Sequence, residues 1–196
     1  YAQYGLLNPE ETERAEAAFL KALELNDELI SAYGNLAMLY TETNRGIKAV
    51  ELIKKMLELN PNSAEAHYAL GYLYRYAGMN DAAIEQMEKA VSIDPNNLNF
   101  RSISNTYLLA GMYDKAFHAA GLYEESGFLL QVMGQVRFRQ GRHDEALEYF
   151  NRSIDLDPGK LAALTSTGIK AFIEGNREEG ILAAMKEAIE ETIQEA

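Results

Sequence analysis

The sequence predicts an all-α solenoid, in which antiparallel helix pairs stack in one continuous domain. Three observations predict it. Three stretches, ending at Asn62, Asn96 and Gly159, share one plan: an apolar helical stripe, a small-residue turn, a second stripe, then an Asn-Pro or Asp-Pro stop. The spacing between them is regular. Pro61 and Pro95 lie 34 residues apart, as do Leu36 and Leu70, Tyr40 and Tyr74, and Ala49 and Ala83. Finally, the turn glycines Gly78, Gly111, Gly141 and Gly175 recur at intervals of 33, 30 and 34. A fixed period of this length marks a stack of helix pairs, each too small to bury its apolar face alone.

Taken in order, residues 1–29 read as a partial repeat. Residues 1–8 look like the tail of a first helix, and a second helix runs near 9–25 with Ala15, Phe19 and Ala22. A start at Tyr1, with no basic-then-apolar leader, suggests a processed or excised piece of a longer chain. Residues 30–63 form the next repeat: Leu36, Leu39 and Tyr40 share one helical face, and Ile53, Met56 and Leu57 share another. Residues 64–96 repeat the plan. In 97–126 the glycine interval is short and Glu124-Glu125-Ser126-Gly127 replaces the Asp-Pro stop, so the second helix is expected to lack about one turn and to pack irregularly. Residues 127–160 restore the plan. The last repeat, 161–196, lacks the proline and ends in the polar KEAIEETIQEA, which fits either a terminal cap, whose outer face must be polar, or a chain cut at that point. Proline stops each second helix because it has no N–H and disfavours helix in the residue before it. Asn44, Asn80 and Asn176 fall in the short turns, where Asn tolerates bent backbone and caps helices.

Leu70-Gly71, Tyr74, Gly78, Ala83, Ala90 and Pro95 closely resemble the tetratricopeptide-repeat pattern. Ala49 with Pro61, and Gly134, Ala146, Phe150 and Pro158, resemble it again. Three positions depart from it: His67 replaces a large apolar residue, Arg137 stands where Tyr40, Tyr74 and Tyr107 stand, and Gly180 stands where Ala49 and Ala83 stand. The resemblance implies a right-handed superhelix whose first helices line a concave groove. It implies a non-enzymatic scaffold that holds a protein or peptide segment there.

The groove candidates follow from spacing on the first helices. Residues 64–96 supply Tyr68, Tyr72, Arg75 and Tyr76; 97–126 supply Arg101, Asn105 and Leu108. Residues 127–160 supply Phe128, Gln131, Gln135, Phe138 and Arg139, and the last repeat offers Thr165, Ile169 and Phe172. Tyr and Arg are enriched at binding hot spots, and amides can bond a peptide backbone. The aromatic residues fit a second reading as well, since Tyr76 and Phe138 would also fill gaps between neighbouring first helices. Acidity gathers at the ends: residues 1–29 carry seven acids and two bases, whereas 127–160 carry five of each. An Arg-dotted, near-neutral middle suits a partner with an acidic segment. Some proteins of this family clamp a terminal carboxylate with Lys and Asn, then Asn, then a basic pair. Arg101 and Asn105 resemble the first pair, but Val132, Ala162 and Ser166 stand where the rest should be.

Other chemistry finds no support. With 30 acids against 18 bases (net −12), a general nucleic-acid binder or polybasic membrane anchor is disfavoured. No apolar run approaches the roughly 18 residues of a membrane span. There is no Cys, which removes disulfides and thiolate sites and leaves the compartment open, with the cytoplasm slightly favoured. His67, His118 and His143 are 51 and 25 residues apart and match no metal-ligand motif. Pairs such as Glu85 and Glu88, or Glu178 and Glu179, belong to outer faces or helix starts. Asn151-Arg152-Ser153 fits a glycosylation acceptor but lies within an expected helix. The expectation is therefore an interaction scaffold with no cofactor, metal or catalytic site. Two alternatives stand beside it. One is a regulatory repeat segment of a larger receptor, kinase or cyclase chain; the other is a module that self-associates through its array ends.

Overall fold

The computed structural model describes residues 9–175, which form α-helices, one short 3-10 segment and no strand. The polar tail of the last repeat, Asn176, Gly180, the Glu178–Glu179 pair and residues 1–8 lie outside that span. The helices are α1 (Pro9–Leu25), α2 (Ile30–Glu42), α3 (Gly46–Leu59), α4 (Ala64–Tyr76), α5 (Asn80–Ile93), α6 (Ile103–Leu109), α7 (Tyr113–Gly121), α8 (Gly127–Arg139), α9 (His143–Leu156) and α10 (Leu161–Ile173). The 3-10 segment, Leu98–Ser102, precedes α6. The chain divides into two compact units, Tyr1–Phe100 and Arg101–Ala196.

Helix ends sit where backbone chemistry puts them. α3, α5 and α9 stop one residue before the prolines' own neighbours, at Leu59, Ile93 and Leu156. The turns within pairs share one geometry. Gly78 has φ +76°; its N–H donates to the Arg75 carbonyl at 3.0 Å, and Met79 N–H donates to the Tyr74 carbonyl at 2.9 Å. The turns at Gly111 and Gly141 repeat that pair of bonds. Asn44 holds the same left-handed backbone at φ 58° without being glycine. Asn80, by contrast, is the first residue of α5 and provides no side-chain cap. The caps come from serines instead: Ser63 Oγ accepts from Ala66 N–H at 3.1 Å, and Ser126 Oγ accepts from Leu129 N–H at 3.4 Å.

In the N-terminal unit, α2 packs on α1, α3 and α4, and α4 packs on α5. Leu36, Leu39, Ala49 and Ile53 are buried at the centre, with Phe19 and Leu23 of α1 laid against them. A polar clasp holds α1 to this core. Tyr40 hydroxyl donates to Glu16 at 2.8 Å, and Arg45 Nη1 donates to the same carboxylate at 2.6 Å while its guanidinium covers the Tyr40 ring at 4.4 Å. Partial burial alone would raise the Glu16 carboxyl, but the Arg45 and Tyr40 hydrogen bonds and the Arg45 charge hold it below the ordinary carboxylate range. A lowered folded value means stability that is present above the unfolded carboxylate range and lost as pH falls through the folded one. Glu16→Gln is expected to remove about 1 kcal/mol at neutral pH and to flatten the acid limb of stability. Urea titrations at pH 7 and pH 3 check this; an acid limb as steep as that of the parent chain would exclude the clasp.

The C-terminal unit starts irregularly. The α7 helix has nine residues where α3, α5 and α9 have fourteen, and α6 has seven. The run Asn96-Asn97-Leu98-Asn99 precedes α6, and Asn97 Oδ1 accepts from Asn99 N–H at 3.1 Å, a local bond that competes with helix. Beyond it, α8 packs on α6, α7, α9 and α10. Leu129, Leu130, Val136 and Phe150 are fully enclosed, and Ser153 Oγ donates to the Gly127 carbonyl at 2.9 Å while accepting from Ser166 Oγ at 3.1 Å. Ser153 thus lies within a helix, as its sequence context suggested, and is also fully buried. Arg137, the replacement for a tyrosine, covers the Phe117 ring at 3.8 Å and pairs with Glu145, so a cation–π contact takes over the ring's packing role.

Candidate functional site

In the N-terminal unit the four candidates of α4 divide by depth. Tyr68 is only 4% exposed and stacks on Phe100 with ring centroids 4.5 Å apart. It is therefore core packing, which corrects its expected place on a binding surface. Tyr72 is 8% exposed, and its hydroxyl donates to the Glu42 carboxylate. Burial first, with the Glu42 carboxylate adding to it against the Arg75 charge, pushes this hydroxyl far above the ordinary phenol range. Tyr72 is thus a fixed donor binding α4 to α2, again a correction. Arg75 covers the Tyr72 ring at 4.4 Å and the Tyr76 ring at 5.4 Å. Only Tyr76, at 52%, is broadly exposed. His67 is also buried here, with Nδ1 2.8 Å from Gln86 Oε1.

The C-terminal unit differs. Asn105 on α6 and Gln131 and Gln135 on α8 are half-buried, and their amides form no side-chain hydrogen bond among the described residues. Arg139 is exposed at the end of α8 and has no ion pair among them. Arg101 lies 5.9 Å from the Phe128 ring centroid. Phe138 is held between rings, stacked on His143 at 5.5 Å and edge-on to Phe172 at 6.1 Å, which favours its gap-filling reading. Gln135 and Arg139 face a cleft of about 130 Å³ shared with Leu108, Leu109, Gly111 and Tyr113. Leu109 and Tyr113 were not among the expected site residues. The signal available was an apolar residue at the last position of a first helix, just before the turn glycine, where 64–96 has Tyr76 and 127–160 has Arg139.

No cluster of three or more His, Cys, Asp or Glu side chains able to hold a metal occurs among the described residues, and no helix among them is long and apolar enough to cross a membrane.

Comparison with known proteins places the repeats. Profiles described as tetratricopeptide repeat match residues 30–63, 64–97 and 127–160, together just over half of the chain. The photosystem I assembly protein Ycf3 of Acaryochloris marina (strain MBIC 11017) is 31% identical over 55 residues, which span 28% of this chain and 33% of that protein. The Cut9–Hcn1 hetero-tetramer of the APC/C superposes with a TM-score of 0.77 at 18% identity, over 89% of this chain and 34% of that one. The chain thus spans about a third of the length of both relatives. YrrB, a TPR protein with an unusual peptide-binding site, is 28% identical with a TM-score of 0.54, over 88% of this chain and 91% of that one. Tetratricopeptide repeats form scaffolds that bind proteins or peptides and are generally non-catalytic. The repeated helix pairs, their shared turn geometry and these matches agree: the chain belongs to the tetratricopeptide-repeat family.

Proposed function

We propose that this chain is a non-catalytic scaffold that holds an extended peptide, one with an acidic segment, along the surface of α6 and α8. The carrying observation is the set of open polar groups there. Asn105, Gln131, Gln135 and Arg139 have no partner among the described residues, whereas the α4 candidates are bound to one another and to Glu42. An amide can accept from a peptide N–H and donate to its carbonyl, exchanging water for backbone. The peptide-binding site attributed to YrrB supports the same kind of ligand.

A random dodecapeptide library panned on the full chain tests this. Enrichment over an unrelated protein is expected. Binding of the enriched peptides should weaken about tenfold in the double variant Gln131→Ala/Gln135→Ala, which removes two hydrogen-bonding amides. The thermal melt should stay that of the parent chain. No enrichment, or enriched peptides indifferent to both substitutions, would overturn the reading.

A further inference from the structure

We propose that the cleft beside Leu109 and Arg139 selects the partner by one large apolar side chain followed closely by a carboxylate. The inference rests on the peptide-binding reading above and specifies what that peptide must contain. Two features of the C-terminal unit carry it.

The first is the cleft itself. Its volume, about 130 Å³, approaches the roughly 150 Å³ known to admit a benzene ring, so it has room for one aromatic or branched aliphatic side chain and little more. Its apolar wall is built by the α6–α7 turn. It is lined there by the buried Leu108, by Leu109 at 56% exposure and by the half-buried Tyr113. The left-handed backbone at Gly111, φ +74°, turns the chain back so that residues on both sides of it line the same depression. An apolar side chain laid against Leu109 would remove exposed hydrocarbon from water at the same time as its own.

The second is the charge at the edge of that wall. Arg139 lines the cleft, is exposed, and has no acidic partner among the described residues. Its neighbour Arg137, on the same helix, is already tied to Glu145 and Gln140. Arg139 is therefore the guanidinium that this cleft presents to a ligand, and a carboxylate is the group that it holds in bidentate fashion. Gln135, one helical turn before Arg139 on α8, lines the same cleft and offers an amide to it. The lining thus combines a hydrocarbon surface, an amide and a guanidinium, which suit an apolar side chain, a backbone group and a carboxylate of one ligand.

The experiment uses the peptides enriched by panning on the full chain. Their alignment is expected to show Phe, Tyr, Leu or Ile followed within two residues by Asp or Glu. Leu109→Asp and Arg139→Glu alter exposed side chains and should leave the melt unchanged, while each weakens the enriched peptide by about tenfold or more. Replacing the peptide's acid by its amide should weaken binding to the parent chain by about tenfold, and should have little effect on Arg139→Gln, where the partner charge is already gone. Peptides that bind and respond to Gln131→Ala but ignore Leu109→Asp and Arg139→Glu would overturn the cleft assignment while leaving the scaffold reading in place. Failure to enrich any peptide would overturn both.

Discussion

Phe150→Ala is expected to destabilise the C-terminal unit by about 3–5 kcal/mol, the range for deleting a fully buried ring. That is a large share of the roughly 5–15 kcal/mol that holds an ordinary domain. Phe150 is 0% exposed and fills the space over Gly134, where an added Cβ would stand 2.5 Å from the ring. The ring and the missing side chain are thus two halves of one contact between α8 and α9. Removing the ring opens a cavity that the flanking helices cannot close, because Leu130 and Ser153 are already fixed by their own neighbours. Because repeat arrays contact only their neighbours, the loss should be read locally. Hydrogen exchange in α8 and α9 should accelerate by far more than in α2 and α3. A parent-like melt and uniform exchange would contradict the packing described here. Gly134→Ala attacks the same contact from the other side, and combining it with Phe150→Leu should cost less than the sum of the two single changes.

What could be read from the sequence was what the backbone encodes locally. Pro61, Pro95 and Pro158 stop helices through their missing N–H, and Gly78, Gly111 and Gly141 adopt a conformation that other residues resist, so the period and turns were visible as letters. The recurrence of small residues at Gly71 and Gly134 likewise announced close helix contacts. Depth was not visible. Tyr68, Tyr72 and Tyr76 share one stripe of α4, yet the first lies under Phe100, the second is bonded to Glu42 thirty residues away, and only the third meets solvent. Helical spacing gives the direction of a side chain but not what the next helix places in front of it. The same gap hid the difference between the two candidate surfaces. An Arg or a Gln looks equally available in a sequence whether or not a neighbour satisfies it, and the Arg137–Phe117 contact shows one that is taken. The 3-10 start at Leu98–Ser102 escapes the glycine spacing for a different reason: a shortened interval points to the second helix alone, although the Asn-rich run before α6 carries its own signal.

Gly71→Val is expected to cost about 3 kcal/mol or more, at the upper end of overpacking effects. A Cβ at Gly71 would lie 2.6 Å from Met87 Cγ and 2.8 Å from the Ala83 carbonyl oxygen. The Met87 side chain is flexible, but the Ala83 carbonyl and the Met87 backbone nitrogen, at 3.1 Å, are backbone of α5, which can yield only if the helix moves away from α4. Even Gly71→Ala should destabilise, because the gain in helix propensity, about 1 kcal/mol, is smaller than the strain of separating the pair. Gly34 supplies the control. A Cβ there would meet only the Met56 methyl, at 3.3 Å, the free end of a side chain that can rotate. Gly34→Ala is therefore expected to be neutral or stabilising, and chemical denaturation of the two alanine variants should move the midpoint in opposite or clearly unequal directions. The comparison with Ala37 explains why this is not a rule about small residues as such. Ala37 lies 34 positions before Gly71, at the corresponding place in the preceding repeat, and carries its methyl at 1% exposure. The α2–α3 pair has room for a methyl where the α4–α5 pair has none. Equal midpoints for Gly34→Ala and Gly71→Ala would mean that the α4–α5 approach is looser than its 2.8 Å backbone contact requires.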